Sequence, residues 1–413
     1  MTAGSSTLVL LVFTAVYLGM ALGRVPGLVL DRTGVALLGL IVLLASGALT
    51  LAEAGAATDL PTLALLFALM IVSAQFQGSG FYSLCAGAVT RAAASPTRLL
   101  ALLVAVTGVL SALLTNDVVV FAMTPLVCAG LTARGLDPRP YLVALAGAAN
   151  AGSAATLIGN PQNILIGQKG GLDFWTYALW AAPVAALSLA VVFVCVRLTW
   201  SKSLAQTVLP PPRQSAIAID RFQIAKGVAG LLLLIVLFAT DLPREIGALA
   251  VAGLLLLSRR MSSRDMIGSV DWHLLLLFVC LFGVTAAFAA TGLAGEAIGW
   301  MAASGLSPDR LAVLAPATLA LSNSIGNVPA VVLMLALLPQ LGEGAMVALA
   351  VLSTLAGNLL LTGSMCNIIV AERAQASGAR LGFADFARSG IPMTLVSMAL
   401  ACLFLWAAGV VRL

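Results

Sequence analysis

Four stretches of this chain, 8–23, 60–75, 227–239 and 274–290, contain no charged residue at all, and similar apolar stretches recur to its end. Such runs approach the ~20 apolar residues that a helix needs to cross a bilayer. In hydrocarbon every backbone N–H and C=O must be bonded within the protein, which leaves helices or closed barrels as spanning structures. Continuous apolar runs favour helices. Composition removes the soluble alternative: of 413 residues 61% are hydrophobic and 9% charged, whereas soluble domains carry about a quarter charged residues. The mean hydropathy is +1.09. Lipid must therefore be the solvent for most of the surface. No charged stretch is long enough to make a separate soluble domain.

Within the apolar background, charges and Gly/Pro act as punctuation. Spans are expected near 7–23, 33–54 and 60–77, followed by a polar-flanked stretch at 80–97. A hairpin at 98–134, an interrupted span at 140–168 and a span at 174–199 complete the first half. The segment 200–223, with Lys202, Pro210, Pro211, Pro212, Arg213, Asp220 and Arg221, reads as a cytoplasmic linker. Spans near 224–240, 245–258 and 273–291 follow, then a hairpin at 308–341, an interrupted span at 345–372 and a span at 389–410. Residues 1–199 and 224–413 thus share one plan. An odd number of crossings in each makes them inverted repeats. The expected fold is an all-α polytopic membrane protein of two such repeats, each with five spans, one re-entrant hairpin and a discontinuous helix.

With the linker inside, all of the 21 Lys and Arg residues fall on the inner side except Lys169, Arg244, Arg310 and Arg412. That is the bias of the positive-inside rule. The N-terminus then lies outside, the first hairpin enters from the cytoplasm and the second from outside. The arms on either side of Asn116 leave open whether the first hairpin crosses fully. Arg24 and Arg32 follow the first apolar run instead of preceding it, so it reads as a retained span and not a cleavable signal.

The net charge of +5 is no sign of nucleic-acid binding, because the basic residues fall singly or in small groups between spans. Cys85, Cys128, Cys195, Cys280, Cys366 and Cys402 lie in apolar surroundings without CxxC spacing and read as small buried hydrophobes. His273, Tyr17, Trp175, Tyr177 and Trp180 read as interfacial. Glu53, Asp59, Glu296 and Glu372 fall near span ends and read as solvated.

The chemistry is expected at four interruptions. The first hairpin turns at Thr115-Asn116-Asp117, and the first interrupted span carries Asn150, Ser153, Thr156, Gly159, Asn160, Pro161 and Asn163. The second hairpin turns through Asn323, Gly326, Asn327 and Pro329, and the second interrupted span carries Asn358, Thr362, Gly363, Ser364 and Asn367. A shift of 204 positions pairs Leu157 with Leu361, Gly159 with Gly363, Asn163 with Asn367 and Ile164 with Ile368. Non-helical backbone survives in lipid only where it lines a cavity or binds something, and matched breaks in two repeats point to a transporter site. The polar side chains can also serve plain helix packing. Asp117 is the sharpest single residue, since an ionisable group in mid-membrane is costly and functional by default. It can carry a proton, or bind Na⁺ when ionised; the plainer role is to cap the second arm of its hairpin.

At these motifs the chain resembles the ion transporter superfamily, which includes arsenite efflux permeases, D-type sodium/proton antiporters and divalent anion/sodium symporters. The resemblance implies hairpin tips meeting two broken helices, an elevator-like movement of that unit against a scaffold, and a homodimer. It implies Asn116 and Asn327 as tip ligands, with Asn160, Asn163, Ser364 and Asn367 in the break loops. Na⁺, if it is the coupling ion, falls to Asn116, Asp117, Gly159, Asn163, Asn327 and Asn367. Carboxylate-carrying relatives use Ser-Asn-Thr at both tips, whereas here Asp117 and Val328 stand in those places, and no tip arginine is expected. A dicarboxylate is disfavoured on that ground.

The expected function is proton-coupled efflux of an arsenite- or antimonite-like solute across the cell's inner membrane. Alternatives are Na⁺/H⁺ exchange and Na⁺-coupled uptake of a dicarboxylate-, citrate- or sulfate-like anion. An intramembrane enzyme is disfavoured, because HExxH, paired catalytic acids and a nucleotide loop are lacking. No cofactor is expected beyond the coupling ion, H⁺ or Na⁺, and no partner beyond the bilayer, the solute and a second copy.

Overall fold

Helices start in this chain where an aspartate can cap them. Asp31, Asp59, Asp173, Asp220 and Asp271 each accept a backbone N–H from the first turn that follows, satisfying donors that would otherwise be orphaned at the membrane edge. The computed structural model describes residues 3–22, 27–92, 95–205, 209, 219–293, 295–296, 299, 304 and 307–412. Arg24, Pro210, Pro211, Pro212 and Arg213 lie outside the described residues. Among the described residues the structure is helical throughout, with no strand.

The first half runs α1 (Ala3–Leu22), α2 (Arg32–Ala45), α3 (Leu51–Ala57), α4 (Leu60–Gly78) and α5 (Phe81–Ala92). The hairpin is α6 (Pro96–Leu113) and α7 (Asn116–Thr132). The broken span is α8 (Arg139–Ser153) and α9 (Pro161–Lys169), and α10 (Phe174–Thr199) ends the half. The second half repeats the order with α11 (Arg221–Leu237), α12 (Arg244–Leu256), α13 (Ser263–Gly268) and α14 (Trp272–Ala289). Its hairpin is α15 (Leu311–Ile325) and α16 (Asn327–Leu337), its broken span α17 (Glu343–Ala356) and α18 (Met365–Ala376), and α19 (Phe383–Ala407) closes it.

One expectation needs correction. The span expected at 33–54 ends at Ala45, because Gly47 turns the chain at φ +72 and a Thr50–Glu53 capping box starts α3 afresh. Glu53 is therefore a cap residue as well as a solvated one. The polar-flanked stretch at 80–97 is largely helical, as α5.

Helix length decides how deep the hairpins go. The arms α15 and α16 have 15 and 11 residues, about 22 and 16 Å at 1.5 Å per residue, well short of a ~30 Å hydrocarbon core. The tip of the first hairpin is tied to the middle of the first broken span, since Asn116 N–H donates to Gly159 O at 3.0 Å. The second hairpin is thus too short to cross, whereas α6 of the first has 18 residues and is long and apolar enough to span. Both hairpins pack on the broken spans, α6 against α8, α7 against α18 and α15 against α17, with α10 against α19. Beside this unit, α2 packs against α14 and α1, and α4 against α12 and α11.

Candidate functional site

The two broken spans are built alike. Asn160 is the N-cap of α9, its side chain accepting Asn163 N–H at 2.9 Å, and Ser364 stands 204 residues later as the N-cap of α18. Both have extended backbone. One turn on, Asn163 Nδ2 donates to Thr156 O at 3.2 Å, and Asn367 Nδ2 donates to Leu360 O at 3.0 Å. The donors and the acceptors are each separated by the same shift. An asparagine in the first turn thus holds the carbonyl that the break has freed, as buried polar backbone requires.

The halves also bond to each other by the same rule. Asn160 Nδ2 donates to Thr354 Oγ1 at 3.1 Å, and its counterpart Ser364 Oγ donates to Asn150 Oδ1 at 3.0 Å. Thr354 Oγ1 donates to Asn163 Oδ1 at 3.1 Å, and Asn150 Nδ2 donates to Asn367 Oδ1 at 3.0 Å. Asn150 and Thr354 are again 204 apart. Each contact therefore has an image with the halves exchanged, as a two-fold relation demands. Asn150 Nδ2 also reaches Asn358 Oδ1 at 2.8 Å, and Asn358 Nδ2 donates to Gly147 O. Ser153 Oγ accepts from Asn160 Nδ2 at 3.0 Å and from Asn116 Nδ2 at 3.3 Å.

Glycine is required where this packing is closest. A Cβ on Gly159 would lie 2.3 Å from Ser153 O, and one on Gly363 would lie 2.4 Å from Asn323 Oδ1. Gly326 has φ +93, a conformation that side chains resist.

In front of this network lies a cavity of about 300 Å³. The first hairpin gives it Asn116 and Asp117, the second Gly326, Asn327, Val328 and Pro329, and the breaks Pro161, Gln162, Thr362 and Ser364. Asn150, Ser153, Asn160, Asn163, Asn358 and Asn367 are buried behind this lining, bonded to each other and to backbone. Thr115 pairs with Ser73 Oγ at 3.1 Å, and Thr156 donates to Ala112 O. Asn323 donates to Leu319 O and Ala356 O. The oxygens Asn323 Oδ1 and Asn327 Oδ1 are buried without a hydrogen-bond partner.

Asp117 is in the first turn of α7, and the cap position belongs to Thr115. Its carboxylate accepts the thiol of Cys366 at 3.0 Å. Cys366 thus leaves the set of inert apolar cysteines: it begins α18 and touches the acid that lines the cavity.

Four further residues enter the site unexpectedly. Arg32 and Asp31, at the start of α2, and Asp271 and His273, at the start of α14, line the same cavity. Thr33 Oγ1 donates to His273 O at 3.4 Å and holds the two helix starts together. The expectation of no arginine at a tip is therefore corrected, because Arg32 Nη1 lies 3.0 Å from the point a Cβ on Gly326 would occupy. His273 belongs to the cavity mouth and not only to the interface. Tyr177 is likewise no belt residue: it is buried, accepts from Asn163 Nδ2 at 3.0 Å and donates to Ala154 O at 2.8 Å. Tyr17 is buried as well.

At the far end, Lys169 at the end of α9 pairs with Asp59, the cap of α4, at 2.8 Å. Gln168 donates to Glu245 and Arg244 to Leu172 O. Asp59 is thus held by an ion pair and a capping bond, beyond simple solvation.

Among known proteins, the profile of the citrate transporter family matches residues 8–349. An uncharacterized transporter of Mycobacterium tuberculosis is 30% identical over 385 residues, covering 86% of this chain and 87% of that protein. The silicon efflux transporter LSI3 of Oryza sativa subsp. japonica is 27% identical, over 91% of this chain and 92% of its own length. Among solved structures, the Alcanivorax borkumensis YdaH transporter, described as having an unusual topology, aligns with a TM-score of 0.59 at 17% identity, covering 98% of each chain. That likeness is one of fold.

Proposed function

The chain belongs to the citrate transporter family, and on that premise we propose that it expels a small hydroxylated inorganic solute, of arsenite, antimonite or silicate kind, in exchange for protons carried by Asp117. The observation that carries this reading is Asp117 itself, an acid that lines the cavity formed by both hairpin tips and both breaks. A carboxylate facing a cavity can take up a proton when the solute leaves and release it when the solute binds. Amide and hydroxyl groups around it offer both donors and acceptors, which suits a solute rich in O–H groups. A cavity of about 300 Å³ holds such a solute with some water. Three carboxylates line it against one arginine, a poor match for a compact polyanion. The silicon efflux relative supports the same class of cargo.

The movement follows from the two ends. With the basic residues inside, the exposed starts of α2 and α14 face the cytoplasm, so the cavity is open inward. The Asp59–Lys169 pair closes the outer end between the packed unit and its scaffold. Sliding of the hairpin and broken-span unit would break that pair and carry the cavity outward, and two copies side by side would anchor the scaffold.

Flux into proteoliposomes under an imposed pH gradient, with arsenite, silicic acid, Na⁺ and citrate offered separately, tests this. Arsenite or silicic acid should move and dissipate the gradient. Dissipation by Na⁺ alone would assign the protein to Na⁺/H⁺ exchange, and movement of citrate alone would refute the cargo class.

A further inference from the structure

We infer, resting on the sliding movement proposed above, that Asp271 and Arg373 form an inner latch: an ion pair, open in this structure, that closes the cytoplasmic mouth of the cavity when the site faces outward. The two halves show it when they are laid in register. The broken spans repeat at a shift of 204 residues, α9 starting at Pro161 and α18 at Met365. The scaffold repeats at a different shift. α2 and α12 start at Arg32 and Arg244, α3 and α13 at Leu51 and Ser263, and α4 and α14 at Leu60 and Trp272, each 212 residues apart. The caps agree. Thr50 and Ser262 precede one pair of helices, and Asp59 and Asp271 the other, each aspartate accepting the N–H three residues on.

The outer end of the molecule shows the latch when it is made. Lys169, the last residue of α9, pairs with Asp59 at 2.8 Å, Gln168 donates to Glu245 at 3.2 Å, and α9 packs on α4. At the two shifts the image of Lys169 is Arg373, and the image of Asp59 is Asp271. A base again stands opposite an acid. Gln168 and Glu245 map onto Glu372 and Thr33, with the roles exchanged: the Thr33 hydroxyl can donate where the Glu372 carboxylate accepts.

At the inner end these images stand apart. The cavity lies between them, with Asp271 and His273 of the α14 start on one wall and Met365 and Ile369 of α18 on the other. α18 packs on α7 and α8 and has no comparable packing on α14. Among the described residues Asp271 makes no ion pair and accepts only Leu274 N–H, at 2.9 Å. Arg373 is half-buried over the ring of Phe121, 3.4 Å from its centroid, and its Nε has no hydrogen-bond partner. An unpaired buried donor of this kind is costly, so Arg373 gains in any state that brings it an acceptor. Sliding that breaks the Asp59–Lys169 pair carries the end of α18 toward the start of α14. One pair then opens as the other closes, and each facing state has its own lock.

The test uses the full protein carrying Thr362→Cys, a change in the cavity lining, in right-side-out membrane vesicles. A membrane-impermeant maleimide is applied outside, and the chain without Thr362→Cys gives the background from the native cysteines. Outside labelling then reads the outward-facing population. Asp271→Asn keeps a capping side chain and removes the charge. It should slow outside labelling roughly two- to fivefold, as expected on losing one exposed ion pair. In an Arg373→Gln background the same change should have no further effect, which marks the two residues as partners. An unchanged outside rate in Asp271→Asn overturns the latch, as does an equal loss in the Arg373→Gln background. Should Asp271→Asn fail to assemble, the pair is read from its other side by Arg373→Gln in a Phe121→Leu background, where the stacking is already gone. Slowing by the same factor supports the latch there, and no change overturns it. Outside labelling absent from every variant, Lys169→Ala included, refutes the movement itself and the latch with it.

Discussion

Replacing Asn150 by alanine should destabilise the protein by about 2–6 kcal/mol, because its side chain joins three of the four interruptions. Asn150 Nδ2 donates to Asn358 Oδ1 at 2.8 Å and to Asn367 Oδ1 at 3.0 Å. Its Oδ1 accepts from Ser364 Oγ at 3.0 Å and from Asn116 Nδ2 at 3.5 Å, the last at the edge of hydrogen-bonding range. Interhelical hydrogen bonds in membrane proteins average about 0.6 kcal/mol, so simple loss of the bonds amounts to about 2 kcal/mol. The partners raise that figure. Asn150, Asn358 and Asn367 are 0%, 2% and 0% exposed, so two acceptor oxygens would be stranded at about 1–3 kcal/mol each. Asn150→Asp is a sharper probe of the same point, since it sets an oxygen against the oxygens of Asn358 and Asn367. Denaturant unfolding in detergent micelles, followed by helical signal, measures the loss. A change below about 1 kcal/mol in both variants, with normal flux, would refute the claim that the breaks are locked together through this residue.

Asp117→Asn should abolish flux driven by a pH gradient while leaving the Tm near that of the wild type, because an amide oxygen can still accept the Cys366 thiol; gradient-driven flux at the normal rate would remove Asp117 from the mechanism. Lys169→Ala breaks a pair whose side chains are 46% and 11% exposed, worth about 0.5–1 kcal/mol. It should shift the inward-open population two- to fivefold, to be read as slower thiol labelling of a Thr362→Cys variant, about RT ln of that ratio. Tyr177→Phe removes the hydroxyl that bridges Asn163 and Ala154 O and should cost about 1–2 kcal/mol in the same unfolding assay; stability equal to the wild type would show the hydroxyl to be replaceable by water.

Much of the architecture was readable beforehand because hydrocarbon leaves the chain so few options. Charge-free runs must be helices, and Gly159, Pro161 and Gly363 can interrupt them only where something pays back the broken bonds. The 204-residue register was readable for a related reason: Asn163 and Asn367 do the same work, each holding the carbonyl seven residues before it. What escaped was tertiary. Arg32 and His273 sit at helix starts, where sequence pattern cannot separate a topology signal from a cavity wall; only the packing of α2 against α14 brings them to the hairpin tips. Tyr177 looked interfacial because an aromatic with a hydroxyl suits a membrane surface and a buried amide equally well. Cys366 has no spacing signature, and its role comes from a neighbour 249 residues away. The broken 33–54 span escaped because Ser46 to Thr50 interrupts it without proline and with a single glycine.

The exchanged hydrogen bonds between the halves carry a consequence for how the protein is made. Asn160 needs Thr354, and Asn150 needs Ser364 and Asn367, so the first half cannot satisfy its own amides. Those partners are synthesised about 200 residues later, roughly 10–40 s at ordinary elongation rates. For that interval the nascent first half sits in the bilayer with open amide sites facing a partner that does not yet exist. A chain stopped at the linker would hold the same surface indefinitely, and the most complementary surface available to it would be that of another stalled half.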